Sequence, residues 1–418
     1  MKTRTANVSG RSYAALAPFQ VRSFRFQWPS DLLTSWAFEM ETLIIGWYVL
    51  VETDSVLLLT LVGALQYIGT LVAPMFGVIG DRIGRRTVLC LLRGTYFILA
   101  TTMMTLGLTG HLTPHHVFAI VFCAGMLRNS DLVMRNALIG DTMPANRLMS
   151  AISLSRTTQD TARIAGALAG AGLFSALGMG QTYIFVAAFY MASLCLTFGV
   201  ARHTRAEEKL PKASPWRDLL EGLAYAWRTP DVRAILILAF LVNFTAYPAT
   251  NGLLPYAARD VYQVGATGLG HLVAAFATGA FIGSLLLIWT GGPRRIARFM
   301  LISLMLWYAS LIVFAQLTDK TYAVLFLIII GIVQGMGMIS MSVTLLNMVS
   351  PEFRGRILGV RMLAVYGLTL GLLIAGAVME LVGYASLITL FCIAGLAGVG
   401  YIGFSCRKLL WHHQIGRS

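Results

Sequence analysis

Apolar residues along this chain come in long runs, each closed by a few polar, glycine or proline positions. The runs are roughly 20 residues long, the length a helix needs to cross the hydrocarbon core of a bilayer. They lack the period-two alternation of half-buried strands, so the pattern predicts membrane-crossing helices. The runs fall near 31–52, 56–79, 88–109, 116–138, 148–176 and 181–201, then near 233–256, 268–290, 297–317, 321–348, 357–381 and 385–405. Twelve spans are expected, six on each side of one long polar interruption. The expected organisation is a tail over 1–29, a six-helix bundle over 30–201, a linker over 202–232, a second bundle over 233–405 and a tail over 406–418. Within the linker, Trp216–Arg228 mixes apolar and charged residues at helical spacing, which reads as a surface helix lying along the membrane.

Composition agrees. The chain is 57% apolar and 12% charged, against about 45–50% and about 25% in soluble domains, and its mean hydropathy is +0.73. Collagen-like, disordered and disulfide-framework classes are excluded, as is a small soluble enzyme. The five cysteines show no paired spacing and read as small reduced core residues. His115-His116 and His412-His413 have no cysteine or carboxylate at ligand spacing, so no metal site is expected.

Charge fixes the expected orientation. The net charge is +14, and with the N-terminus inside, the outer loops hold only Arg259 and Lys320. Lys and Arg in short loops mark the cytoplasmic side, so both termini are expected in the cytoplasm, in a bacterial inner membrane. The first 29 residues are basic and no cleavage site follows them, so they do not read as a signal peptide.

The most specific motif is Gly77-Val-Ile-Gly-Asp81-Arg82-Ile-Gly84-Arg85-Arg86, directly after the second run. Gly77 and Gly84 suit close backbone approach and a tight turn. Asp81 suits a cation or a helix N-terminus on the neighbouring bundle, and the arginines suit the inner surface. This loop resembles the one between helices 2 and 3 of the major facilitator superfamily. A shorter basic loop, Gly291-Gly-Pro-Arg-Arg295, follows the eighth run as a weak repeat. Leu220–Pro230 and Pro351-Glu-Phe-Arg-Gly-Arg356 resemble the drug:proton antiporter-3 branch, which includes macrolide efflux proteins and enterobactin-type siderophore exporters. Ala162-Arg163-Ile-Ala-Gly166-Ala167-Leu-Ala-Gly170 resembles the antiporter motif of exporters, with Ala167 where the family usually has proline. Glycines 166, 170 and 172 are expected to let helices pack closely.

Ionisable residues inside spans are costly and point to function. Asp31 lies near the inner end of the first run and reads as solvated, whereas Glu39 and Glu41 fall near mid-span. Two residues apart on a helix face different ways, so one of the two is expected to exchange protons. Burial penalises a charged carboxylate, which is the chemistry of a site that holds a proton or a cation by turns. Asp131 and Asp160 are further coupling candidates. Arg128, Asp131 and Arg135 share one helix face, as do Arg156, Asp160 and Arg163. Equal-depth arithmetic across the fourth and fifth runs pairs Arg128 with Asp160 and Asp131 with Arg156. Trp36, Arg128, Asn243, Tyr247, Asn251, Tyr256 and Gln334 are candidate cavity residues, with Pro248, Gly252 and Pro255 expected to break the seventh span.

The expected function is proton-driven export of a small amphipathic molecule, siderophore or drug-like, by alternating access. A facilitator or importer on the same scaffold is the alternative within transport. A membrane enzyme or receptor is disfavoured because no phosphate loop, HExxH or GxSxG motif occurs on an inner loop and the termini carry no signalling domain. The expected partners are the lipid bilayer, protons and a small-molecule substrate, with no cofactor, no nucleic acid and a monomeric state.

Overall fold

The computed structural model describes residues 17–201, 215–290 and 292–405, nearly all of them helical. The N-terminal helices are α1 (Arg22–Thr53), α2 (Val56–Leu65), α3 (Ala73–Ile83), α4 (Arg85–Leu108), α5 (Pro114–Thr142), α6 (Ala145–Leu177) and α7 (Met179–Thr197). A linker helix, α8 (Pro215–Arg228), leads into α9 (Pro230–Thr245), α10 (Tyr247–Asn251), α11 (Leu254–Tyr256) and α12 (Ala266–Thr290). Then follow α13 (Ile296–Gln316), α14 (Lys320–Met348), α15 (Arg354–Leu363), α16 (Tyr366–Val382) and α17 (Tyr384–Ser405). The far tail and residues 202–214 of the expected linker lie outside the described residues.

Eight of the described helices are long and apolar enough to cross a membrane, with α15 and α16 taken together, and the pair α2–α3, bent by 46°, makes nine. The other expected spans fall on α1 and α6, whose internal charges dilute their hydropathy, and on the seventh run. That run is broken. α9 stops at Thr245, α10 opens at Tyr247-Pro248, α11 holds Pro255, and a π turn covers Ala257–Val261. Proline removes a donor and clashes with the preceding turn, so each break is written in the residues. α1 starts at Arg22, inside the segment expected to be a tail, and carries Pro29 within it.

Lipid offers no hydrophobic drive between helices, so contact depends on small residues that admit neighbouring backbones. A Cβ on Gly279 of α12 would stand 2.0 Å from the Ile328 carbonyl, and one on Gly331 of α14 2.2 Å from that of Phe276. The outer surface is apolar, with Leu91, Ile98, Ile302 and Leu325 more than half exposed. Cys123 and Cys195 also lie on exposed positions, so of the described cysteines only Cys392 fits the expected core role.

The helices before α8 meet those after it along two seams. α6 packs on α12, where a Cβ on Gly270 would fall 2.4 Å from Ala171 Cβ; α2 packs on α16, where one on Gly376 would fall 2.0 Å from Thr60 Oγ1. Both seams lie toward the end of the molecule away from the basic loops. At that end Arg259 donates to the Leu50 carbonyl at 2.8 Å and to Asp54 at 2.6 Å. Toward the basic loops Met149 of α6 is 77% exposed, while Ala151 is buried against Phe24.

Candidate functional site: charges inside the helices

Glu41 and Glu39 take different environments, as their spacing on α1 requires. Glu41 accepts a hydrogen bond from Tyr190 of α7, and the Tyr183 hydroxyl stands close by without a well-aligned bond. Glu41 also lines a cavity of about 30 Å³ with Phe38, Thr42, Gln66, Tyr96 and Arg128. That is room for a water or two and not for a substrate. Arg128 reaches into the same cavity, donating to Gln66 at 2.6 Å and Thr42 at 3.0 Å while lying 5.0 Å over the Phe38 ring. No ion pair joins Glu41 to Arg128. Glu39 instead packs against α6, where a Cβ on Gly166 would come within 2.8 Å of Glu39 Cβ. Trp36 faces α7, edge-on to Phe189 at 6.0 Å, and not the space between the two helix sets.

The expected pairing across the fourth and fifth spans is not what the structure shows. Arg128 is held by Gln66 and Thr42, and Asp160 pairs along its own helix with Arg156 at 3.8 Å. Asp131 lies against Arg135, one turn along α5, and 3.6 Å from Arg93 of α4. Arg93 also pairs with Asp31, and Arg135 Nε stands 3.7 Å from the same carboxylate. Equal depth was the wrong criterion: α5 turns its charged face toward α1 and α4, and α6 turns Arg156 away from it. Asp31 is likewise not solvated, being only 5% exposed. The result is a closed set of two carboxylates and two guanidiniums on three helices. Around it, Arg93 bonds Ser30 and Thr197, and Arg135 bonds Ser35 at 2.8 Å. Arg93 is fully buried, and sequence reasoning missed it; an arginine in an otherwise apolar run was the available signal.

A second group forms between the two helix sets. Arg163 of α6 donates to Asn251 of α10 at 2.7 Å and lies 5.3 Å over the Phe276 ring. Gln334 of α14 donates to the Tyr247 hydroxyl at 2.7 Å, and the Tyr247 ring stands edge-on to Trp307 at 5.2 Å. Arg156, Arg163 and Arg361 all lie near enough to act on Tyr247 electrostatically. Of the expected cavity residues, Tyr247, Asn251 and Gln334 are therefore brought together. Asn243 bonds back to Ala239 on its own helix at 2.8 Å, and Tyr256 stacks on Tyr384 at the far end.

The glycine-rich loop is the turn between α3 and α4. Gly84 has φ +93°, a conformation that side chains resist, which accounts for glycine there. Gly77 does not mediate a close approach, since a Cβ on it would meet nothing within 4 Å; Gly80 does, facing Met134 Sδ at 2.8 Å. Asp81 does not reach the other helix set. It pairs with Arg85 at 3.0 Å, and Arg85 continues to Asp141 at 2.8 Å and the Ala137 carbonyl at 2.9 Å. Arg86 bonds the Thr197 and Phe198 carbonyls at the end of α7, and Arg82 is exposed. The loop thus staples α3, α4, α5 and α7 together.

The family model of the Major Facilitator Superfamily matches residues 32–368. The chain belongs to this superfamily. It is a multi-pass membrane transport protein and not an enzyme. Among major facilitator proteins, the chain is 20% identical over 300 residues to the uncharacterised MFS-type transporter YfmI of Bacillus subtilis, covering 69% of this chain and 73% of that one. It is 28% identical over 233 residues to the enterobactin exporter EntS of Shigella boydii, covering 54% of this chain and 52% of the exporter. The match therefore spans about half the length of that exporter. Solved facilitator structures share the fold: the nucleoside transporter NupG superposes with a TM-score of 0.74 at 16% identity, covering 94% of this chain and 100% of NupG. A bacterial homologue of the lysosomal transporter Spinster, in an inward-facing and unoccupied conformation, gives 0.71 at 15% identity, covering 99% and 100%.

Proposed function

We propose that this facilitator is a proton-coupled exporter of a small amphipathic molecule, with its basic loops in the cytoplasm of a bacterial inner membrane. Export is supported by the likeness to enterobactin exporters. The orientation is supported by the near absence of Lys and Arg from the opposite loops. The observation that carries the coupling is Glu41. It is a carboxylate inside the N-terminal helices with a tyrosine as donor, a water-sized cavity beside it, and a cation across that cavity to which it is not paired. A carboxylate so placed can take a proton without first breaking an ion pair. Arg128 supplies the charge that would favour its release. Glu39, packed on Gly166, holds no such position. The bend at α2–α3 and the breaks at α9–α11 supply the compliance that alternating access needs.

The test is accumulation of fluorescent amphipathic dyes by vesicles containing the purified protein, with and without an imposed proton gradient. Glu41→Gln keeps the shape and removes the titrating group. It should abolish gradient-driven accumulation, at least tenfold, while dye binding persists; Glu39→Gln should be mild. Wild-type protein that equilibrates dye and ignores the gradient would identify a facilitator instead.

A further inference from the structure

The linker helix α8 has two faces of opposite character. One is pinned at α15: Asp218 and Glu221 pair with Arg356 at 3.0 and 3.2 Å, and the Tyr225 ring stacks on Phe353 at 4.4 Å. A Cβ on Gly222 of this face would stand 3.0 Å from the Arg356 carbonyl. The other face carries Leu220, Leu223 and Trp227 at i, i+3 and i+7. All three are exposed, Trp227 by 70%. The corner into α9 is closed by hydrogen bonds, Thr229 N donating to the Tyr225 carbonyl and Arg233 N to the Thr229 carbonyl, each at 3.0 Å. This corner sets Arg233 on Trp227. The guanidinium lies 5.6 Å from the centre of the ring and donates to the Trp227 carbonyl at 3.3 Å. One and two turns further along α9, Ile237 and Phe240 are exposed, so Arg233 begins the outward apolar stripe of that helix. Such a stripe meets acyl chains, and an arginine at its end reaches the headgroups. Trp289 at the end of α12 and Tyr401 near the end of α17, both exposed, mark the same interface elsewhere around the molecule.

We infer that the α8–α9 corner binds the headgroup of an anionic phospholipid in the leaflet beside the basic loops, with the lipid phosphate on Arg233. A guanidinium resting on an indole keeps its N–H edge free, and that edge matches a phosphate through two parallel bonds. One nitrogen is spent on the Trp227 carbonyl, which fixes the plane of the fork. Leu220 and Leu223 carry the apolar face on toward the acyl boundary, as in a helix lying in the interface. The balance of charge selects the lipid. The two acids of α8 are engaged by Arg356, and Arg228, next to Trp227, is exposed. Among the described residues neither Arg228 nor Arg233 enters an ion pair. A zwitterionic headgroup brings a cation of its own, which these two arginines repel, whereas phosphatidylglycerol brings none. The corner lies outside both the Glu41 cavity and the gap between the helix sets, so neither cargo nor the direction of transport enters.

The test reads the lipid at the corner itself. Ala224 is exposed on the same face as Leu220 and Trp227. Ala224→Cys, in a background lacking the five native cysteines, is labelled with bimane and the protein is placed in phosphatidylcholine nanodiscs. A minor fraction of phosphatidylglycerol or of phosphatidylcholine carries a nitroxide high on one acyl chain, and quenching gives the ratio of the two affinities. Phosphatidylglycerol should be preferred about fivefold, the worth of one guanidinium at an anionic surface. Arg233→Gln should bring the ratio to about one, and Arg233→Lys should keep part of the preference. Arg294→Gln with Arg295→Gln removes two exposed cations from the α12–α13 turn and should leave the ratio unchanged. Thermal unfolding of each variant checks that the fold persists. Equal quenching by the two lipids, an unchanged ratio in Arg233→Gln, or an equal fall in the Arg294 and Arg295 variant would overturn the assignment. So would quenching by neither lipid, because the face would then lie in water, as a docking surface for a soluble protein does. Displacement of the quenching lipid by added glycerol phosphate would overturn it as well, since the corner would then take a soluble phosphate.

Discussion

Arg93 shows how a single side chain can organise three helices. It is fully buried, touches Asp31 and Asp131, and spends its remaining donors on Ser30 and Thr197. With Arg135 the cluster holds two charges of each sign, so its net charge is zero. Removing one member leaves an uncompensated buried charge, which costs about 3–5 kcal/mol in soluble proteins. Arg93→Met should therefore lower thermal stability in detergent steeply. Adding Asp31→Asn should recover much of the loss, because Asp131 and Arg135 then remain as a balanced pair. If the double variant is no more stable than the single, the cluster is not a balanced brace. The sequence made three of these four residues visible as charges but assigned Asp131 the wrong partner. Neighbouring runs need not face each other, and the true partners of Asp131 are one turn away and on the preceding helix. The pair formed by Asp31 spans 62 residues of sequence, a separation that no local spacing encodes.

Among the elements, α6 is the one whose faces are most closely specified. Gly166 and Gly170 face α1, where added Cβ atoms would lie 2.8 Å from Glu39 Cβ and 3.0 Å from Met40 Cα. Ala167 and Ala171, one residue on and so turned by about 100°, meet Gly270 of α12. The motif is thus a two-sided packing strip, and alanine in place of the family's proline keeps α6 continuous from Ala145 to Leu177. Gly172 departs from the expectation, since a Cβ there would meet nothing within 4 Å. Alanine is favoured over glycine in helices by about 1 kcal/mol. Gly172→Ala should therefore be neutral or slightly stabilising, whereas Gly166→Ala should lower the unfolding temperature and transport together. Equal effects at the two positions would remove the packing argument. Most helix positions and the break in the seventh span were legible because hydropathy, proline and glycine are local signals, whereas the bend between α2 and α3 was not expected. Which face meets which neighbour was legible only where small residues repeat.

At the scale of the whole molecule, the close packing between helix sets gathers at the end away from the basic loops, and Arg259 makes polar contacts across it. Its guanidinium bonds the Leu50 carbonyl near the C-terminus of α1, the Asp54 carboxylate just beyond it, and its neighbour Asp260. A cation at a helix C-terminus also meets the negative end of the helix dipole. Asp54 is 85% exposed at its side chain, so that pair alone contributes about 0–1 kcal/mol. The carbonyl bond adds a comparable amount. A difference of 1.4 kcal/mol is about tenfold in population between two states, so this latch biases the transporter toward closure at this end without locking it. Under the proposed transport cycle the latch breaks whenever the end that carries the basic loops closes. Arg259→Gln should therefore raise the population open at this end severalfold and leave global stability nearly unchanged. Spin labels at Glu52→Cys and Gln263→Cys, in a background lacking the native cysteines, would report it as a longer-distance component in the distribution. An unchanged distribution would assign closure to the α6–α12 and α2–α16 seams alone, with Arg259 a surface contact of no consequence for the cycle.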